Sequence, residues 1–230
     1  TQLSNGKIRK AKKSERKLLE AAHLIKLQIE TADAKLNIAK SALIKSIGKN
    51  GEVPGVFHLS KSKDAIKFDA TAFKNGNPAL YEEYCYEKDG GFQKTFKLEN
   101  TPKLKTENPT LYGKKQKLPK ETYKLSQIGK QKKRSKKIEA LHLDYLNAIR
   151  EFKLLDWELK KLEAQLKTCC GNFDGIEEIC TWVRKYKASK PALNEKLFEE
   201  EQPEEYLKYL TLKSGNFIGR IELSRAYPSA

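Results

Sequence analysis

The 230-residue sequence contains no methionine, not even as a start residue, and a fragment or processed form is the expectation. No apolar run approaches the eighteen or so residues of a membrane span, and no apolar h-region opens the chain as a secretory leader would. A soluble, cytoplasmic protein without a membrane partner is therefore expected. The four cysteines, Cys85, Cys169, Cys170 and Cys180, form no C-x-x-C pattern, and the three histidines (His23, His58, His142) fall near no cysteine cluster. Adjacent cysteines rarely bridge one another, and a chain this long does not depend on disulfides. Reduced thiols are expected, with no metal site and no cofactor. There is no Ser/His/Asp set, no glycine-rich phosphate loop and no H-E-x-x-H helix. No catalytic residue is assigned, and nothing argues for an enzyme.

What is abundant is positive charge, and its placement matters more than its sum of +16. Residues 1–17 hold Lys7, Arg9, Lys10, Lys12, Lys13, Arg16 and Lys17 against Glu15, a local net of +6. Residues 102–137 hold thirteen Lys/Arg against Glu107 and Glu121, a local net of +11. These two segments exceed the whole by one, so the remaining chain carries −1. A protein kept soluble by charge would spread it, whereas this segregation points to a polyanionic partner. A solvated tail or nuclear-targeting run is the blander reading.

The second half echoes the first. Phe73, Pro78, Tyr81, Tyr84, Gly90 and Phe92 match Phe198, Pro203, Tyr206, Tyr209, Gly215 and Phe217, and Phe57 matches Trp182, all at an offset of 125. Upstream, Leu18, Ala22, Ile25, Ile29, Ala32, Leu36, Ala39 and Leu43 step alternately by four and three, as do Leu141, Tyr145, Ala148, Phe152, Leu155, Leu159, Leu162 and Leu166. An average spacing of 3.5 predicts two long coiled-coil-like helices, over 8–47 and 132–168. The first seam is alanine-rich and the second bulky, so the two should interdigitate. Gly48 and Gly171 stand where C-cap glycines belong. Strands are expected at Val56–Leu59, Thr181–Tyr186, Phe92–Leu98 and Phe217–Leu223, with short helices opened by Pro78 and Pro203. The fold class is thus α+β. Each long helix is followed by a small strand–helix–strand unit in an internal repeat, with modules at 1–101 and 132–230. The basic 102–131 linker between them contains Pro102, Pro109, Pro119, Gly113 and Gly129.

The stretch Phe68 to Tyr84, with its pattern Phe73-x-x-x-x-Pro78-x-x-Tyr81-x-x-Tyr84, resembles an accessory region of YqaJ-type viral recombinases and exonucleases. Leu193 to Tyr209 carries the pattern a second time. The resemblance covers about 80 residues of each half, and it is a packing motif without a catalytic residue. Family members often follow the tyrosines with a Ser-Arg-Arg-Phe-like turn, where this chain has Gly90-Gly91-Phe92 and Gly215-Asn216-Phe217. The family's nuclease core of clustered carboxylates and a lysine around magnesium is not found. Glu87-Lys88, Glu82-Glu83 and Glu204-Glu205 read as a solvated acidic face, because consecutive helical residues point about 100° apart. The resemblance implies the accessory part of a phage recombination system without its catalyst.

Lys130, Lys132, Lys133, Arg134, Lys136 and Lys137 fall where the second long helix begins, and Lys7 to Lys17 where the first begins. Cations oppose the helix dipole there. A bound phosphate would reverse that penalty and use the free N–H groups, above all if the two termini lay side by side. Tyr112 and Tyr123 would stack on bases if exposed, although linker tyrosines usually pack on a neighbour. The phenylalanines and tyrosines of the repeated pattern read as core. The leading expectation is a nucleic-acid-binding accessory protein that grips the DNA backbone without sequence preference. The alternative is a coiled-coil adaptor for a nuclease or recombinase protein. A divergent endonuclease is the weakest reading.

Overall fold

The computed structural model describes residues 3–99 and 123–224, so most of the linker and its Tyr112 lie outside the described residues. Along the chain come α1 (Lys13–Ile47), β1 (Glu52–Val53), β2 (Phe57–Lys61), β3 (Ala65–Phe68), α2 (Ala70–Gly76), α3 (Pro78–Glu83), β4 (Cys85–Lys88) and β5 (Phe92–Leu98). A 3-10 turn at Leu125–Gln127 precedes α4 (Lys136–Cys170), β6 (Gly175–Ile176), β7 (Cys180–Tyr186), β8 (Lys190–Leu193), α5 (Glu195–Glu201), α6 (Pro203–Lys208), β9 (Leu210–Lys213) and β10 (Phe217–Ile221). The class is α+β, as expected, and the order α–β–β–β–α–α–β–β occurs twice. Pattern reading missed β1, β3, β4, β6, β8, β9 and the helices α2 and α5, all of seven residues or fewer, too short for a periodicity to register.

The described residues fall into two compact units, each drawn from both halves of the sequence. The helical unit holds residues 3–60, 95–99, 123–183 and 217–224; the small unit holds 61–94 and 184–216.

In the helical unit α1 and α4 pack along each other. Both are rich in Ala, Leu, Lys and Glu and free of internal Gly or Pro, so propensity and periodicity agree. They run antiparallel. Arg9, just before α1, bonds the Cys169 carbonyl at the end of α4. Lys132, just before α4, bonds the Ser46 carbonyl at the end of α1, and Lys35 pairs with Glu151 midway at 3.0 Å. None of the sixteen seam residues is exposed, and Ala22, Ala32, Leu43, Tyr145, Ala148 and Leu166 are buried. Gly48 (φ +67°) and Gly171 (φ +55°) end the helices in a left-handed conformation, their N–H groups bonding the carbonyls of Ile44 and Thr168. A side chain there would be strained.

Each end of the helix pair is closed by a sheet. Leu19, Ala22, Leu166 and Cys170 bury against Leu98, Ile176, Ile179 and Cys180 of the β5–β7–β6 sheet region. Leu43, Ile47, Ile138 and Tyr145 bury against Val53, Val56, Phe57 and Leu59 at the β1–β2–β10 sheet. A histidine ties each closing strand to a helix. His23 Nε2 donates to the Glu99 carbonyl at 3.2 Å, and His142, fully buried, donates from Nε2 to the Glu222 carbonyl at 2.7 Å. A carbonyl only accepts, so these bonds place the proton on Nε2.

The small unit has two antiparallel ribbons, β3–β9 and β4–β8, each taking one strand from either half. Within one half β3 and β4 are separated by α2 and α3, which leaves no hairpin turn between them. Phe73 and Phe198 are fully buried and stacked at 4.3 Å, ringed by Phe68, Tyr84, Tyr206 and Tyr209. The rings read as core are core, but their burial is not matched pair by pair. Tyr84 and Tyr206 are buried, whereas Tyr81 and Tyr209 are half-buried. Phe68 stacks flat on Tyr206 at 4.7 Å, and the residue 125 places on from Phe68 is Leu193, which has no ring to repeat that stacking. The buried hydroxyls are satisfied, Tyr84 donating to Glu201 and Tyr206 to Glu195.

Candidate nucleic-acid interface

Two basic segments lead into the long helices, and because α1 and α4 are antiparallel they lie at opposite ends of the helical unit. Thirty-five residues at 1.5 Å per residue put them about 50 Å apart. The side-by-side arrangement of the two helix starts is therefore not formed.

Just before α1 the chain is clamped by a single parallel bridge: Arg9 N–H donates to the Gly175 carbonyl, and Glu177 N–H donates to that of Arg9. The Arg9 guanidinium is taken up by Glu15 and by the Cys169 carbonyl. Glu15, 3% exposed, also accepts the Lys12 N–H at 2.8 Å. The Arg9 hydrogen bond holds the Glu15 carboxyl below the usual carboxylate range, over the opposing effect of burial. An internal anion thus occupies this helix N-terminus, the place expected for a phosphate. Arg16 pairs with Glu178 at 3.1 Å. Lys7, Lys10, Lys12, Lys13 and Lys17 are exposed, Lys10 beside the acidic Glu177 and Glu178. A cavity of about 580 Å³ here is lined by Ile8, Arg9 and Lys10 together with Glu99, Glu177 and Glu178, a mixed surface.

The start of α4 is clamped in the same manner on Glu52, through the Lys130 carbonyl and the Lys132 N–H. Ser135 caps the helix by accepting the Ile138 N–H. Lys132 and Arg134 serve the fold, the first bonding Ser46 O and the second Glu139 Oε1 at 2.7 Å. Lys130, Lys133, Lys136 and Lys137 are exposed. Because α1 ends here, Lys45 and Lys49 are brought to the same end, also exposed. Reading along the chain missed them, since they lie some 85 residues from the cluster they join. The nearby acids are engaged: Glu52 accepts from Gln131 and Glu139 from Arg134.

Tyr123 is half-buried, 6.3 Å from Phe57, so it is a packed linker tyrosine rather than a platform for bases. Glu82, Glu83, Glu87 and Glu204 are exposed, and Glu205 lies beside Lys208. Among the described residues no group of three His, Cys, Asp or Glu converges as metal ligands. Cys170 and Cys180 are buried with sulfurs 3.6 Å apart. The hydrogen bond to Cys170, together with burial, pushes the Cys180 thiol up, so it remains protonated and unreactive. No described helix is long and apolar enough to cross a membrane.

The sequence count of −1 outside the two basic segments hid a second segregation. Residues 184–190 of the small unit carry Arg184, Lys185, Lys187 and Lys190 with no acid, while residues 195–205 carry six glutamates and one lysine. Averaging over the whole remainder cancelled the two.

No family model, curated protein or solved structure matches this chain.

Proposed function

We propose that the chain is a non-catalytic, nucleic-acid-binding accessory protein that grips the DNA backbone without sequence preference, in the manner of phage recombination or DNA-processing systems. One observation carries the reading: the start of α4 gathers exposed lysines from two distant stretches, Lys45 and Lys49 with Lys130, Lys133, Lys136 and Lys137, while its acids are already bonded. Flexible lysines of this kind contact phosphates as point charges and do not read base edges. The first basic segment contributes through Lys10, Lys12, Lys13 and Lys17. Arg9, Lys132 and Arg134 hold the fold.

The test is a titration of duplex DNA at two salt concentrations with Lys133→Ala/Lys136→Ala/Lys137→Ala against the parent. These lysines are exposed, so the fold should be unchanged. The slope of log affinity against log salt should fall by about one for each phosphate that the variant no longer neutralises. Binding with the parent's affinity and slope would leave the coiled-coil adaptor as the better reading.

A further inference from the structure

The small unit carries its own basic and aromatic surface. In the β4–β8 ribbon Lys88 stands directly opposite Lys190, and Tyr86 opposite Ala192. Alternation along a strand puts these four residues on one face, while Cys85 and Leu193, opposite each other, turn to the aromatic core. Tyr86, Lys88 and Lys190 are exposed. Like charges directly opposite one another weaken a ladder, and a bound anion reverses the sign of that contribution.

The adjoining turns add to this surface. Lys187 N–H bonds the Gly91 carbonyl at 3.0 Å. A side chain at Gly90 would meet Lys187 Cβ and the Ala188 carbonyl at 2.5 Å, so the turn after β4 lies flush on the turn before β8. Next to it Tyr186, 62% exposed, meets Phe92 edge to face at 5.3 Å. An exposed ring braced by a second ring keeps a fixed orientation without being covered. Of the neighbouring acids, one is held at the turn and the other faces away. Asp89 is bonded to the Gly91 N–H, and Glu87 falls on the opposite face of the ribbon by alternation.

We propose that this face of the β4–β8 ribbon binds single-stranded nucleic acid, with Lys88 and Lys190 on the phosphates and Tyr86 and Tyr186 stacked on bases. Duplex DNA satisfies the lysines but hides the bases within its own stack. Exposed tyrosine rings therefore favour a strand whose bases are free. The proposal takes its class of partner from the reading of the helical unit but uses none of that unit's residues.

The test is fluorescence anisotropy on the full chain with labelled oligothymidylate of about 20 nucleotides and a duplex of equal length. Tyr186→Ala should weaken single-strand binding by about 5- to 150-fold and leave the duplex unaffected, while Tyr186→Phe should bind as the parent does. Lys88→Ala/Lys190→Ala should lower the single-strand salt slope by about 1.4, two phosphates at about 0.7 each. Melting followed by circular dichroism checks that each variant is folded. Single-strand binding unchanged in both the Tyr186→Ala and the double-lysine variant overturns the proposal. So does polyglutamate binding as tightly as the oligonucleotide, since an acidic peptide needs no base stacking. A parent that binds duplex but not single strand overturns it and leaves the helical-unit reading standing. A parent that binds neither overturns both. Loss of duplex binding in the α4 lysine variant, with single-strand binding kept, supports two separate surfaces.

Discussion

The two ribbons of the small unit pair their strands in the same antiparallel manner and present different side chains. At the offset of 125, Ile66–Leu212 of β3–β9 corresponds to Glu87–Pro191 of β4–β8, and Ala65–Lys213 to Lys88–Lys190. One ribbon exposes an apolar pair, Ile66 at 68% and Leu212 at 71%. The other exposes a lysine pair and a tyrosine. Their turns differ likewise. By β3–β9, Asp64 accepts from the Gly215 N–H and pairs with Lys61; the residue 125 places on from Asp64 is Ser189, and the acid by β4–β8 is instead Asp89, on the facing turn, where it accepts the Gly91 N–H. The Gly215 and Lys61 hydrogen bonds hold the Asp64 carboxyl below its usual range. Backbone pairing of the same kind thus carries an exposed apolar pair in one place and a facing lysine pair with a tyrosine in the other, and function is to be sought in the difference.

The largest effect should fall on what the ribbons share. Phe73→Ala and Phe198→Ala remove rings that stack on each other beneath both, and each should cost about 3–5 kcal/mol in urea unfolding. A cost near zero for either would mean that the ribbons do not rest on a common core. The next test contrasts the two helix starts. Glu15 is buried on Arg9, whereas Glu139 is 38% exposed on Arg134. Glu15→Ala should cost about 3 kcal/mol and Glu139→Ala about 1 kcal/mol or less. Because folding lowers the Glu15 pKa, its contribution is complete above the usual carboxylate range and is lost as pH falls through the lowered value. In Glu15→Gln that part of the acid unfolding limb should be missing, and pH-dependent melting would show it.

Smaller effects separate the ribbons themselves. Lys190→Glu turns a like-charge pair into an opposite one and should stabilise by about 0.5 kcal/mol, less at high salt. A melting temperature that does not rise would show Lys88 and Lys190 to be uncoupled. The smallest change is expected on the apolar ribbon. Ile66→Thr and Leu212→Thr should each shift stability by less than about 0.5 kcal/mol, since both side chains are largely in solvent. A larger loss in dilute protein would reveal that something covers them.

Much of this was legible along the chain. The 3.5-residue spacing located both long helices, but they begin at Lys13 and Lys136 rather than at 8 and 132, because the residues before them are held in backbone bridges. The first ends at Ile47 as expected and the second two residues late, at Cys170. Pro78 and Pro203 open their short helices, and β5 was placed residue for residue. Other features depend on which residues the fold brings together. Arg9, Lys132 and Arg134 look like their neighbours in a lysine-rich run, and only Glu15, Ser46 and Glu139 distinguish them as structural. Lys45 and Lys49 carried no local signal, because they join the second basic segment only through the chain reversal of an antiparallel pair.

The sequence by itself determined which residues turn inward, where the helices stop and where the charge is concentrated, because these follow from periodicity, glycine conformation and composition, all local properties. Tertiary structure alone decided the rest: the antiparallel direction of α1 against α4, β3 with β9, β4 with β8, and Lys88 facing Lys190. An apolar stripe or a strand edge records that it must be covered or paired but not by what, and a partner more than a hundred residues away is selected only when the whole core closes around both.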